Sequence, residues 1–352
     1  MPANFDLFST AVMLKAIEQM PRVYSFLYDT FASEGELCED ENAMYDYRKG
    51  ARSGLAPFVV PGTGGVAINR EGYEMRNIRF TTIAPERVIT LADVSSRMFG
   101  EAVTGALTPE QRSKRVLARD LMQLRQMVQN TRDWMTREML LNGKLEIRRY
   151  TSEGMEKDAS MVADFGFTNF YVPATKWNQA GAKINYDMRT VFDMVYDGLG
   201  EIDILVMAPD VFDCMIENSN YIKTLDMRNV DMGEINTRYR GQGVRMLGYN
   251  ADGVMFVSYS GKFVDWDRTV KDKLPSGTII AGSSRNKPLK FMHGPIQKFT
   301  GLDESAQLHT YIKKEVPFRI GGSQSDSIAT RLVSRPTVLP ENVDSWAVMK
   351  VL

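Results

Sequence analysis

Two histidines, two cysteines and a scatter of carboxylates are the side chains from which this chain could build chemistry, and their spacing offers little. His293 and His309 form no His-Glu-x-x-His pattern and have no cysteine pair beside them, so each reads as a packed or surface residue. Cys38 and Cys214 are too far apart in sequence to make a ligand motif, and two alone cannot frame a disulfide scaffold. Gly62-Thr63-Gly64-Gly65 looks superficially like a phosphate loop, but no Lys-Ser/Thr follows it, and its flanks have hairpin character. Ser284-Arg285-Asn286-Lys287 fits Ser-x-x-Lys in a turn-like run with no Lys-Thr-Gly partner, so it reads as chance. In Asp265-Trp266-Asp267 the two carboxylates point to different faces of any extended segment, and a solvated turn is the simpler reading. Neither a cofactor nor a metal is implied. An active site assembled from scattered residues would leave no such signature. An oligomeric enzyme using residues 186–321 therefore stands as a competing reading, which a pocket of converging titratable groups would favour.

Composition narrows the classes further. The 352 residues carry 43 basic and 44 acidic side chains, a formal net charge of -1, and 43% hydrophobic residues. That is the profile of a globular protein with room for about two domains, without the charge excess of a nucleic-acid or membrane binder. No basic residue precedes Lys15, unlike a signal peptide, and no apolar run approaches the ~18 residues of a membrane span. Synthesis in a reducing cytoplasm is the expectation.

The elements that would position any site come next. Residues 8–20 repeat apolar positions at helical spacing before Pro21. The rest of residues 1–42 is acidic, with two bases against eight acids over the whole stretch, which predicts a solvated, mobile terminus. Residues 45–87 break into short β-prone pieces around Pro61-Gly62-Thr63-Gly64-Gly65 and predict a long hairpin with few large apolar side chains. Seven bases and four acids make it positive. A two-stranded hairpin without a core is marginal in water and needs a surface to lie on.

Thr108-Pro109-Glu110-Gln111 is a capping box with Pro at the first helical position. Leu117, Leu121, Leu124, Val128, Thr131 and Met135 then repeat at spacings of four and three, and Asn142-Gly143 supplies a stop. The predicted helix over residues 109–142 is about 50 Å long at 1.5 Å per residue. One apolar stripe cannot bury it on all sides, so part of it should face solvent or another subunit. Its seven bases against four acids are spread around it and imply at most nonspecific contact with DNA. Strands are expected at 145–151 and 160–172, a helix at 188–199, a strand at 202–207, a second helix from 211, a hairpin over 244–249 and 254–259, and a strand at 278–281. Two short pieces, 327–334 and 345–351, close the chain around Pro336 and Pro340.

This order of acidic arm, long hairpin, solitary long helix, compact α/β segment and closing strands resembles the major capsid proteins of tailed bacteriophages. Within them it is similar to the lambda-type capsid family. The residues carrying the resemblance are Ala84-Pro85-Glu86-Arg87-Val88 before Leu91, Gly100-Glu101, and Trp134-Met135 ahead of Asn142-Gly143-Lys144. Further on they are Gly248-Tyr249-Asn250-Ala251-Asp252-Gly253-Val254, the run 257–264 with its Tyr259-Ser260-Gly261 segment, Leu274-Pro275-Ser276-Gly277-Thr278, and residues 336–352. The resemblance implies an α+β tailed-phage capsid fold with an N-terminal arm (1–42), an extended loop (43–90), a peripheral domain with its spine helix (91–185 plus 322–352), and an axial domain (186–321). It implies a non-enzymatic shell protein that assembles with itself as pentamers and hexamers around double-stranded DNA. Scaffolding, portal and decoration proteins would be its partners, with no membrane involved, in the virion and before that in the host cytoplasm. An encapsulin-type compartment or a prophage remnant of the same fold is the nearest alternative.

For the subunit interface, Leu55, Phe58, Val59, Val60 and Tyr73 are the expected anchors of the hairpin on an adjacent spine helix. Arg76 and Arg79 are expected to oppose the acidic Glu39, Asp40 and Glu41 between subunits, and Arg119 and Arg125 of the helix to face a neighbour. Residues 218–240 are expected near the capsomer centre. Lys49 is a candidate lysine for covalent cross-linking.

Overall fold

The computed structural model describes residues 8–47, 74–96, 107–151, 154–156, 160–179, 181–198, 200–218, 225–226, 243–250, 253–300, 307–321 and 327–352. The long helix runs Pro109–Asn142, as its sequence signals predict. Its capping box is closed in both directions: Gln111 N–H donates to Thr108 Oγ1 at 3.3 Å, and Thr108 N–H donates to Gln111 Oε1 at 3.1 Å. At the far end Gly143 adopts φ 63° and donates its N–H to Met139 O at 2.8 Å. A Cβ at Gly143 would lie 2.0 Å from that of Phe167, so both conformation and space require glycine there.

The helix belongs to two cores. Leu117, Leu121, Leu124 and Val128 pack with Met13 and Ile17 of the N-terminal helix Thr10–Gln19, and with Ile89 and Leu332. Met135, Met139 and Leu140 enter the main core. A fully buried Leu such as Leu124 is worth roughly 1.5–3 kcal/mol relative to exposure. The N-terminal helix starts at the Ser9 cap and stops at Met20, whose extended backbone suits the residue before Pro21.

Residues 26–37 correct the expectation of a mobile, solvated terminus. The helix Phe26–Phe31 buries Phe26, Leu27, Tyr28 and Phe31 in the main core. The strand Ala32–Leu37 then pairs parallel with Leu289–His293, which also pairs antiparallel with Pro336–Pro340. Lys287 Nζ fixes this entry by donating to the carbonyls of Asp29 and Ala32. Glu34, Glu36, Glu39, Asp40 and Glu41 are exposed, whereas Asp29 is largely covered and accepts from Ser25 N–H and Arg22, and Phe26, Tyr28 and Phe31 are buried.

The largest sheet has seven strands, in the order Leu225–Asp226, Val244–Asn250, Met255–Tyr259, Ile204–Met207, Thr278–Gly282, Ala347–Lys350 and Phe170–Tyr171. Ile204–Met207 is buried at all four positions and runs parallel to Met255–Tyr259 but antiparallel to Thr278–Gly282. The helices Ile184–Asp197 and Pro209–Glu217 place Val191, Val195, Val211 and Met215 in the same core. The expected division between 186–321 and 322–352 does not follow this hydrogen bonding. Ala347–Lys350 lies inside the sheet, fully paired with Thr278–Gly282, because its apolar Ala347, Val348 and Met349 leave it no stable place at a solvated edge. Trp346, just before it, stacks on Phe167 with ring centroids 4.7 Å apart and donates Nε1–H to Leu140 O at 3.1 Å, tying the C-terminal strand to the spine helix.

The two ends of the expected long hairpin pair antiparallel, Asn42–Tyr47 with Glu74–Arg79. Glu86–Thr90 then adds to a sheet with Ser327–Val333 and Val316–Ile320.

Candidate subunit interface

The expected site is a surface rather than a pocket, and the long helix presents one. Positions 115, 119, 122, 126 and 130 recur at spacings of four and three, and all are exposed, so they form one stripe opposite the buried leucines. The stripe carries Arg115 and Arg119, and Met122 lies 52% exposed within it. Met127, 50% exposed, sits at its margin. Methionine is flexible and adapts to many partner surfaces. Two further antiparallel strand pairs carry apolar residues opposite each other. In the hairpin of Ile296–Thr300 with Gln307–Tyr311, Phe299 lies directly opposite Leu308, and both are exposed. In the smaller hairpin of Lys262–Val264 with Val270–Asp272, Val264 lies opposite Val270. Its turn carries Trp266, half-exposed and edge-on to Trp134 of the spine helix at 4.7 Å.

The expected interface residues fall into three groups. Leu55, Phe58, Val59, Val60 and Tyr73, and the candidate Lys49, lie outside the described residues, as do most of residues 218–240. Arg76 and Arg79 are on the strand Glu74–Arg79, in register with Tyr45 and Asn42, and Arg79 is exposed. Glu39, Asp40 and Glu41 are exposed in the turn leading into that same strand pair, and the carboxylate of Glu41 lies 4.0 Å from Arg335. The structure therefore brings the acidic turn and the basic strand together at the base of one hairpin within a single chain. Arg119 faces solvent on the stripe. Arg125 instead points at the N-terminal helix, where Nη1 donates to the carbonyls of Ile17, Met20 and Pro21 at 3.3, 3.1 and 3.3 Å. These carbonyls cluster at the helix C-terminus, where a cation is favoured, although Ile17 O also accepts from Met20 N–H.

Sequence reasoning missed the buried charges that hold these surfaces in place. Arg125 Nε is 3.4 Å from Glu315, and Arg132 Nη1 is 3.0 Å from the same carboxylate. Arg132 also donates to Ser334 Oγ at 3.0 Å. Asp133, fully buried, accepts from the backbone N–H of Tyr28 at 3.1 Å and pairs with Lys273 Nζ at 2.6 Å. One carboxylate thus joins the N-terminal segment, the spine helix and the loop before Leu274. A signal existed in the sequence: Arg125 and Arg132 are seven apart, two helical turns, on the flank of the apolar stripe, where an arginine requires an acid. The identity of that acid, far away at Glu315, had no such signal.

Other charges respond to burial. His293 has its pKa lowered to about 3 by burial first and by Arg132 second, with Glu34 opposing. Burial also lowers Lys287, against the pull of Asp29, and raises Asp120, only partly offset by Arg87 at 3.7 Å. Two of the motifs weighed for chemistry serve turns, and Gly62-Thr63-Gly64-Gly65 lies outside the described residues. Ser283, Ser284 and the N–H of Arg285 donate to Asp203, and Asp267 accepts from Thr269. Among the described residues no three His, Cys, Asp or Glu side chains converge as a metal site, and no helix is long and apolar enough to cross a membrane.

A long helix with an exposed stripe carrying Arg115, Arg119 and Met122, and a seven-stranded mixed sheet that takes the C-terminal strand into its interior, make an α+β architecture. The chain belongs to the family described as phage major capsid protein E, whose model matches residues 9–320. A crystal structure of a protein described as a prophage capsid protein from E. coli CFT073 superposes with a TM-score of 0.67 at 15% identity, over 97% of this chain and 99% of that one. A phage-related protein from Bordetella bronchiseptica RB50 gives 0.50 at 8% identity, over 97% and 96%. Identities this low show a shared fold. No curated protein matches the chain. The protein is a major capsid protein, a structural component of the virion shell that assembles with copies of itself.

Proposed function

We propose that this capsid protein forms pentamers and hexamers that tile an icosahedral shell around double-stranded DNA. The shell is first assembled in the host cytoplasm with scaffolding and portal proteins and is open to decoration proteins afterwards. The observation that carries this reading is the spine helix, whose Leu117, Leu121, Leu124 and Val128 pack in one core with the N-terminal helix while its outer stripe leaves Met122 and Arg119 exposed. An isolated subunit gains nothing from that exposure, whereas a neighbour covering it buries apolar area. The extended loop is the proposed cover. Leu55, Phe58, Val59, Val60 and Tyr73 of one copy would lie on the stripe of the next, with Arg76, Arg79, Glu39, Asp40 and Glu41 supplying charge contacts at the loop base. Exposed pairs of that kind are each worth about 0–1 kcal/mol, so they set register more than strength. Near-neutral net charge suits a wall that encloses DNA without binding it tightly.

Negative-stain electron microscopy with size-exclusion light scattering tests the assembly. Shells, tubes or capsomers are the expected products, and a monomer or dimer that persists with scaffolding and portal proteins present would overturn it. Deletion of residues 56–70 should leave folded subunits that do not close shells; normal shells from that variant would remove the loop from the interface.

A further inference from the structure

Two exposed surfaces of the chain carry opposite charges that nothing among the described residues neutralises. On the outer stripe of the spine helix, Arg115 and Arg119 are exposed one turn apart, and neither has an ion pair among the described residues. The neighbouring positions on that face hold Gln111, Arg112, Val116, Ala118, Met122 and Gln123, so no carboxylate answers them along the helix, and like charges at this spacing repel. The acids nearest in sequence are committed elsewhere, Glu110 to Lys114 at 2.8 Å and the buried Asp120 to Arg87 at 3.7 Å. The second surface is the corner between the strand Ala32–Leu37 and the strand Asn42–Tyr47. No basic residue occurs between Arg22 and Arg48. Glu36 reaches Lys290 at 3.7 Å and Glu41 reaches Arg335 at 4.0 Å, which leaves Glu39 and Asp40 exposed and unpaired among the described residues. Each surface also ends on one exposed apolar side chain, Met122 at 52% on the helix and Leu37 at 42% on the corner.

We infer that the acidic corner of one copy seats on this helix face of the next, with Glu39 and Asp40 against Arg115 and Arg119 and Leu37 against Met122. The inference rests on the reading of the chain as a self-assembling shell subunit and names the residues that meet. The two surfaces are of matching length. Arg115 to Met122 covers about 10 Å of helix axis, and the three residues from Leu37 to Asp40 reach at most about 10 Å. Their charges are complementary, and the contact removes two apolar side chains from water. Exposed ion pairs are individually weak, so this contact sets the register and direction of a neighbour more than it holds the shell together. Because the corner leads directly into Asn42–Tyr47, it also places the base of the extended loop beside the neighbour's spine helix.

The test is a charge exchange, read as the threshold concentration at which the full-length chain forms shells, tubes or capsomers by light scattering and negative-stain microscopy. Glu39→Lys with Asp40→Lys turns two attractions into repulsions at every such contact and should raise the threshold about tenfold. Arg115→Glu with Arg119→Glu should do the same. All four substitutions together restore opposite charges and should return the threshold to within about threefold of the parent. An equimolar mixture of the two pair variants, in which every unlike contact is again attractive, should co-assemble at concentrations where neither does alone. The side chains are exposed, so urea midpoints of dilute subunits should not move in any variant. Pair variants that assemble at the parent's threshold would overturn the inference and leave the shell reading standing, and so would a four-residue variant and a mixture no better than either pair. A parent that stays monomeric or dimeric would overturn the shell reading and this contact with it.

Discussion

Glu315→Gln is the substitution whose cost the structure fixes best. The carboxylate is 9% exposed and lies 3.0 Å from Arg132, itself 5% exposed, and 3.4 Å from Arg125, which is 22% exposed. Glutamine keeps the volume and removes the charge. Arg125 retains three backbone carbonyls and some solvent, so it loses little. Arg132 retains only the neutral Ser334 Oγ and Lys314 O and becomes a buried cation without a counter-charge. Removing one partner of a buried pair costs about 3–5 kcal/mol, and the remaining neutral acceptors place this case near the lower figure, ~3 kcal/mol. Urea unfolding of dilute, unassembled subunits, followed by tryptophan fluorescence, would read this as a lower midpoint at unchanged slope. The double variant Arg132→Met with Glu315→Met should recover most of the loss, because apolar residues of similar volume replace a buried pair at little cost. A loss below ~1 kcal/mol in Glu315→Gln would show that the pair is hydrated and worth no more than a surface bridge. A double variant as damaged as the two single ones summed would show that Arg132 and Glu315 act independently. Either result refutes the reasoning.

His293 titrates near 6.5 when unfolded and near 3 when folded, so between those values the unfolded state binds a proton that the native state excludes. Stability should therefore fall as pH is lowered from 6.5 towards 3, with His293 contributing up to ~1.4 kcal/mol per pH unit, and this share should vanish from the slope in His293→Asn; equal slopes in both proteins would show that the imidazole is not buried neutral. Gly143→Val combines a positive φ with a Cβ pressed against Phe167 and should destabilise by several times the ~1 kcal/mol of an ordinary helix-end glycine change, measured as a urea midpoint. Met122→Ser with Met127→Ser, both half-exposed, should leave unfolding within ~0.5 kcal/mol of the parent while slowing or abolishing shell formation by light scattering; unchanged assembly would place the subunit contact elsewhere.

Local rules carried much of the architecture. The spine helix was legible to the residue, because Thr108, Pro109, Gln111 and Gly143 act through contacts within one helical turn. The hairpin Val244–Asn250 with Met255–Tyr259 and the strands Ile204–Met207 and Thr278–Gly282 were likewise set by β-forming runs between turn residues. The N-terminal helix ended where Pro21 required.

What the sequence could not decide was which distant groups meet. The acidic composition of residues 1–42 argued for solvation, yet Phe26, Leu27, Tyr28 and Phe31 are core, since six residues hold too little pattern to outweigh the charges around them. The parallel pairing of Ala32–Leu37 with Leu289–His293 and the insertion of Ala347–Lys350 between Thr278–Gly282 and Phe170–Tyr171 join segments far apart in the sequence. No local propensity encodes such a partner. Arg119 and Arg125 are alike in sequence, six residues apart on one helix. Only the packing of the N-terminal helix against that face turns Arg125 inward to its carbonyls and to Glu315, and leaves Arg119 exposed.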